Sequence, residues 1–244
     1  MFALFFKEVN SFLNSLIGYV VIIVFLLTIG LFMWVFPGTD FNVLNNGYAA
    51  IDPLFIMAPW VFMFLIPAIT MRTFAEEKKT GTIEILFTRP LTELQIIFAK
   101  YLSGLVLVIF SLLPTLVYYY SVSQLGSPPG NIDEGGMWGS YIGLLFLGSG
   151  YVAIGIFASS ITDNQIIAFI TAVFLCFIVY IGFSSISSLS LFGRMDYFVE
   201  LLGIQAHYVS MSRGVLDSRD VIYFLSLTGL FIFLTKIALE ARKW

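Results

Sequence analysis

Six times along this chain the sequence enters a stretch of about twenty residues that is almost free of charge: 16–36, 54–73, 101–123, 138–160, 165–185 and 221–239. A helix of about 20 apolar residues matches the ~30 Å hydrocarbon layer of a bilayer, so each stretch is long enough to cross it. That pattern predicts an all-α membrane protein with six transmembrane helices in a single domain, and it leaves no room for a soluble core. The composition agrees. Only 11% of the 244 residues are charged and the mean hydropathy is +0.95, whereas soluble domains run near 25% charged. A net charge of −3 provides no polybasic surface for nucleic acid. The one cysteine, Cys176, lies inside an apolar run and reads as a small core residue, not as half of a disulfide.

The first stretch is too long for the core of a signal peptide and has no A-x-A cleavage site, so it is expected to stay as an anchor. Lys and Arg set the direction of the bundle. With both termini inside, Lys7, Arg72, Lys78, Lys79, Arg89, Lys100, Lys236, Arg242 and Lys243 are cytoplasmic, and only Arg194, Arg213 and Arg219 are external. The expected topology is therefore N-in, C-in. Ahead of the first span, residues 1–15 place Phe2, Phe5, Phe6, Val9, Phe12 and Leu13 at helical spacing, with Lys7, Asn10, Ser11 and Asn14 mostly off that stripe. This is the pattern of an amphipathic helix lying in the membrane interface.

Residues 72–100 hold nine of the 27 Asp, Glu, Lys and Arg side chains. Their apolar half does not insert. Glu84, Arg89 and Glu93 would cost roughly 8–10 kcal/mol at the bilayer centre, against a return of ~3–5 kcal/mol from nine Ile, Leu and Phe residues. Pro90 would also break such a helix. The local signals instead predict helix, stop, short helix, stop, helix. Gly81 is a left-handed stop after "TFAEEKK", with Lys78 and Lys79 at the negative helix end. Thr82 is expected to cap the short helix, with Glu84 in its first turn and an end before Pro90. Thr92-x-x-Gln95 is a capping-box pattern that opens the approach to the third span.

The stretch "EEKKTGTIEILFTRP" resembles the loop between the second and third spans of ABC-2 type permeases, the membrane subunits of a class of ATP-binding-cassette exporters. Glu76 or Glu77, Gly81, Thr82, Glu84, Leu86 and Pro90 follow the family pattern in order. The six-span plan and the amphipathic start fit as well, so the resemblance covers the whole chain. Within the family it is most similar to the permease subunit of the transporter associated with gliding motility in Bacteroidetes. The resemblance implies that residues 82–88 form a coupling helix seated in a cleft of a separate cytoplasmic ATPase. It implies an ATPase-coupling set of Glu76, Glu77, Lys78, Lys79, Gly81, Thr82, Glu84, Leu86, Phe87, Arg89 and Pro90. In that set Glu84 and Arg89 orient the helix, and Leu86 and Phe87 fill the partner's groove. It further implies a bacterial inner-membrane location, an ATPase dimer binding ATP and Mg²⁺, and a second permease subunit, identical or related. The chain itself is expected to catalyse nothing and to carry no cofactor. It contains no G-x-x-x-x-G-K-[ST] phosphate loop.

Gly139-x-x-x-Gly143, followed by Gly148, Gly150, Gly155 and Ser159, permits close helix approach, either within the chain or across a permease dimer. Thr162-x-x-Gln165 reads as another capping box. Pro59, Pro67 and Pro114 allow either static kinks or hinges. Residues 186–220 read as an external segment, re-entrant or interfacial, with short amphipathic helices. His207 there lacks the companions a zinc site needs, and is expected to be a hydrogen-bonded or exposed interface residue. Three other function classes have sequence requirements of their own. A secondary transporter needs charged or unwound groups near the midplane, and the spans offer almost none. An intramembrane enzyme needs paired catalytic side chains within spans. A scaffold passing force without transport needs only the loop.

Overall fold

The computed structural model describes residues 1–45, 47–190 and 193–241. Thirteen α-helices follow one another there, with no strand among the described residues. They are α1 (Phe2–Leu13), α2 (Leu16–Gly30), α3 (Asp52–Thr70), α4 (Ala75–Lys79), α5 (Thr82–Phe87), α6 (Glu93–Leu112), α7 (Leu116–Leu125), α8 (Glu134–Ile161), α9 (Gln165–Phe177), α10 (Phe183–Ser188), α11 (Asp196–Glu200), α12 (Ile204–Ser212) and α13 (Ser218–Glu240). Six long, apolar helical stretches correspond to the six predicted spans: Leu16–Val35, Asp52–Lys79, Glu93–Leu125, Glu134–Ile161, Gln165–Ser188 and Ser218–Glu240. The protein is a multi-pass membrane protein. Three of the spans are irregular. A π-turn at Leu31–Val35 ends the first, a 3₁₀ turn at Leu113–Thr115 surrounds Pro114 in the third, and a second π-turn at Ile178–Gly182 joins α9 to α10. By contrast Pro59 and Pro67 lie within a continuous α3.

α8 is the axis of the bundle. It packs against α3, α6, α9, α12 and α13, and 72% of its apolar window is buried, against 28%, 22% and 28% for the first, fifth and sixth spans. Those three leave flanks open. Glycine makes the central position possible. A Cβ at Gly139 would lie 2.7 Å from both Gly214 Cα and the Met211 carbonyl, and one at Gly155 would lie 2.8 Å from Thr70 Cβ. The small-residue stripe is thus consumed inside the chain, where it brings α12 and α3 against α8.

One local expectation is corrected. Thr162 and Gln165 do not form a capping box. The N-cap of α9 is Asn164, whose side chain accepts from Ile166 N at 2.9 Å, while Thr162 Oγ1 accepts from Asn164 N. The short amide side chain satisfies the first orphan donor from one position closer. On α1 the apolar stripe is divided between the bundle and the outer surface. Leu4, Glu8, Val9 and Phe12 are buried, largely against α6, whereas Phe2 and Phe6 are exposed. In the segment 186–220, α12 buries Ile204, His207, Tyr208 and Met211. His207 is hydrogen-bonded as anticipated. Its Nδ1 lies 2.6 Å from Asp220 Oδ1 of α13, and its Nε2 donates to the Leu201 carbonyl at 2.9 Å. Arg242 and Lys243, counted in the charge balance, lie outside the described residues.

Candidate functional site

The charged segment begins where α3 stops. Residues 71–74 turn, so Phe74 and Ala75 lose the carbonyls an unbroken helix would give their N–H groups. Both donate instead to Ser159 Oγ of α8 at 3.0 Å, and that hydroxyl donates on to the Met71 carbonyl at 2.9 Å. One buried serine therefore caps a helix on a different span. The Lys78 ammonium adds a bond to the Ser160 carbonyl beside it.

The chain then reverses at Gly81, whose φ of 72° is the left-handed conformation that a side chain disfavours by roughly 1–2 kcal/mol. α5 follows and ends at Phe87, before Pro90. Thr82 does not cap it. Gly81 occupies the cap position with no side-chain bond, and the Thr82 hydroxyl reaches back 3.4 Å to the Glu77 carbonyl. With Thr82 already helical, its side chain tilts towards the preceding turn. The Thr92/Gln95 capping box is present, with both reciprocal bonds.

The predicted residues divide into two groups. Lys79, Gly81, Thr82, Glu84, Arg89 and Pro90 are exposed. Ile85 joins them at 60% exposure. Ile83 is buried, and Leu86 and Phe87 are half-buried against this chain's own core. Positions i, i+3 and i+4 share a helix face, so this trio seats α5 on the bundle. Ile85 is the large apolar side chain on the outward face of α5.

Glu76 and Glu77 turn towards the bundle. Glu76 Oε2 lies 3.2 Å from Arg72 Nε. Glu77 Oε1 accepts from Lys100 Nζ at 2.9 Å. Lys100 is 1% exposed, and its three N–H donors are all satisfied, the others by Glu8 Oε1 at 3.1 Å and the Thr73 carbonyl at 2.8 Å. A buried ammonium persists only when paired and fully hydrogen-bonded, and here three segments supply the partners. Lys7 closes the cluster from the rim, 3.2 Å from Glu8 and 3.6 Å from Glu77. Partial burial works against its charge, but these two carboxylates outweigh that and hold its ammonium above the usual lysine range.

Sequence reasoning passed over Glu8, Lys100 and Ser159. A signal was available for the first two. Glu8 is the sole acidic residue before Asp40 and lies between Leu4 and Phe12 on the buried stripe, while Lys100 follows Ile96 by one turn on an apolar face. Among the described residues no group of three His, Cys, Asp or Glu is placed to hold a metal ion.

The sequence pattern of a family described as "ABC-2 family transporter protein" matches residues 37–206, well over half of the chain. The chain belongs to that family. No curated protein matches it. The match runs from before α3 to the first turn of α12, and so takes in the charged loop and the central α8. An ABC-2 permease is a membrane component of a transporter, and membership implies association with an ABC ATPase in general.

Proposed function

We propose that this permease couples ATP hydrolysis by a separate cytoplasmic ATPase dimer to export, with α5 as the element the ATPase grips. The observation that carries the reading is the division of residues 72–100. One half is bolted to α6 and α8 through Lys100 and Ser159, with Ile83 of α5 buried beside it. The other half presents Lys79, Glu84, Ile85 and Arg89 outward. Charged groups around an exposed apolar side chain provide orientation and anchorage at an interface. Closure of the ATPase around ATP and Mg²⁺ pushes α5, and the push reaches the spans through the bonds just described. A second permease subunit, identical or related, covers part of the open flanks of the first, fifth and sixth spans. The whole-chain resemblance supports a place in gliding motility at the bacterial inner membrane, by export of a cargo or by transmission of force.

Glu84→Lys and Arg89→Glu are exposed changes, expected to leave folding intact and to reduce co-purification of the cognate ABC ATPase at least tenfold. In a gliding host lacking the native gene, neither variant should restore colony spreading. Undiminished ATPase capture by both would overturn the coupling role, and normal spreading without the gene would overturn the gliding role.

The N-in, C-in orientation follows from the charge count, and Lys7, Lys78, Lys79, Arg89 and Lys100 all belong to the α1, α4–α5 and α6 cluster at one end. A cysteine replacing Lys79 should react with a membrane-impermeant maleimide in inverted vesicles and not in intact cells. The reverse pattern would invert the topology.

A further inference from the structure

Both ring nitrogens of His207 face acceptors. Nδ1 lies 2.6 Å from Asp220 Oδ1, Nε2 lies 2.9 Å from the Leu201 carbonyl, and the Tyr223 ring stacks on the imidazole at 3.9 Å between centroids. A carbonyl oxygen can only accept, so Nε2 carries a hydrogen. An ionised carboxylate can only accept as well, and at 2.6 Å a second hydrogen must lie between it and Nδ1. The pair is then an imidazolium beside a carboxylate, neutral in sum, which suits side chains that are only 10% and 7% exposed.

This pair closes a strap between two spans. Residues 201–203 turn the chain from α11 into α12, and His207 and the Tyr223 hydroxyl bond two successive carbonyls there, Leu201 and Leu202. On its other side the same corner meets the end of the fifth span. A Cβ on Gly203 would lie 3.3 Å from Phe183 Cβ, and Ser184 Oγ donates to Gln205 Oε1 at 2.8 Å. Asp220 and Tyr223 belong to the sixth span, so the corner links two of the spans that pack least into the bundle. It lies at the end remote from α5, because α13 starts here and reaches the cavity beside Phe87 and Glu93 only with Lys236 and Glu240.

We infer that His207 and Asp220 form a proton-binding site whose bound proton clips the α11–α12 corner to the sixth span. Loss of that proton leaves one N–H to serve two acceptors. The buried carboxylate, whose Oδ2 already lacks a donor, keeps it. The Leu201 carbonyl then faces a bare nitrogen lone pair, and Tyr223 alone holds the corner. The sign follows: the strap is closed at low pH and loosens as pH rises. Elements packed around the pair bring the tyrosines Tyr208 on α12, Tyr141 and Tyr151 on α8, and Tyr180 on the π-turn. Their charged groups Glu134, Glu200, Arg213, Asp217 and Arg219 are exposed and screened by water, and Asp196 on α11 is half-buried. Glu93, Lys100 and Tyr101 of α6 lie at the far end. Asp220 is therefore the partner that sets the proton. In the orientation proposed above the site reads the pH outside the cell, but its chemistry is independent of that orientation and of α5.

The test uses the full chain, purified through a tag without histidine so that His207 is the one histidine present. Nitrogen-15 resonances of its ring should show both nitrogens protonated at about pH 6 and one at about pH 9. An Ile204→Cys, Cys176→Ser variant reports on the corner, because Ile204 is fully buried within it. Scaled to an exposed Leu202→Cys in the same background, its reaction with maleimide should quicken about tenfold over that interval, as one charge-assisted hydrogen bond is lost. Asp220→Asn discriminates. Its amide can donate to Nδ1 of a neutral ring while Nε2 keeps Leu201, so the corner should stay closed and the quickening should vanish. A singly protonated ring at about pH 6 overturns the inference. So does a doubly protonated one at about pH 9, a wild-type corner indifferent to pH, or a quickening that persists in Asp220→Asn.

Discussion

A Lys100→Met variant should be about 3–5 kcal/mol less stable than the wild-type chain, because removing one member of a buried ionic cluster strands the others. Methionine nearly matches the lysine stem in volume, so the loss is electrostatic and not a cavity. Glu8 Oε1 and Glu77 Oε1 would lose the same ammonium, and the Thr73 carbonyl would lose its donor. At roughly 2–4 °C per kcal/mol for a chain of this size, the midpoint of thermal unfolding in detergent should fall by about 6–20 °C. The triple variant Lys100→Met, Glu8→Gln, Glu77→Gln removes the two stranded charges together and should recover most of the loss. A replacement of an entire buried ion cluster by neutral groups is often close to neutral. If the single variant melts like wild type, the ammonium is not the keystone its burial indicates. If the triple variant is no better than the single one, the loss is one of shape and not of charge.

The second large effect is expected at Ser159. Ser159→Ala deletes one oxygen yet removes the acceptor of two buried backbone N–H groups, Phe74 and Ala75, and the donor to Met71. Each buried donor left unsatisfied costs about 1–3 kcal/mol, so a total near 2–4 kcal/mol is reasonable for a substitution of three hydrogen bonds. The damage should be local. Amide exchange at residues 74–79 is expected to accelerate far more than exchange at α9, which does not use this hydroxyl. Uniform acceleration across the bundle would show that Ser159 supports the whole fold and not the α3–α4 turn. Because that turn connects α5 to the spans, ATPase activity measured in the assembled complex should be retained better than transport or spreading.

The charged loop shows how far residue order carries the argument. Gly81, the end of α5 before Pro90 and the Thr92/Gln95 box were all legible, since each depends on the steric and hydrogen-bonding chemistry of residues no more than four apart. The facing of α5 was not. Ile83, Ile85, Leu86 and Phe87 are all apolar, and local sequence cannot say which of them the bundle takes. The same ambiguity placed Thr82 at a cap it does not fill and put the α9 cap at Thr162 instead of Asn164. At α5 the cap position falls on Gly81, which has no side chain to bond, and at α9 Asn164 takes the Ile166 N–H while Thr162 accepts from Asn164 N. Which side of α1 meets the bundle was likewise not legible: Glu8 is buried against Lys100 on the face that also carries Leu4 and Phe12.

Residue composition by itself determined the six crossings, since a long uncharged run has a lower free energy in lipid than in water whatever it packs against. It likewise kept residues 72–100 out of the bilayer and set their alternation of helix and stop. Only the folded bundle decided which charges meet. Lys100 finds its partners 92 and 23 positions away, and Ser159 caps a turn 85 positions before it. Contacts at such separations follow from how α1, α3, α6 and α8 pack together, and packing depends on every helix at once while propensity depends on a few neighbours.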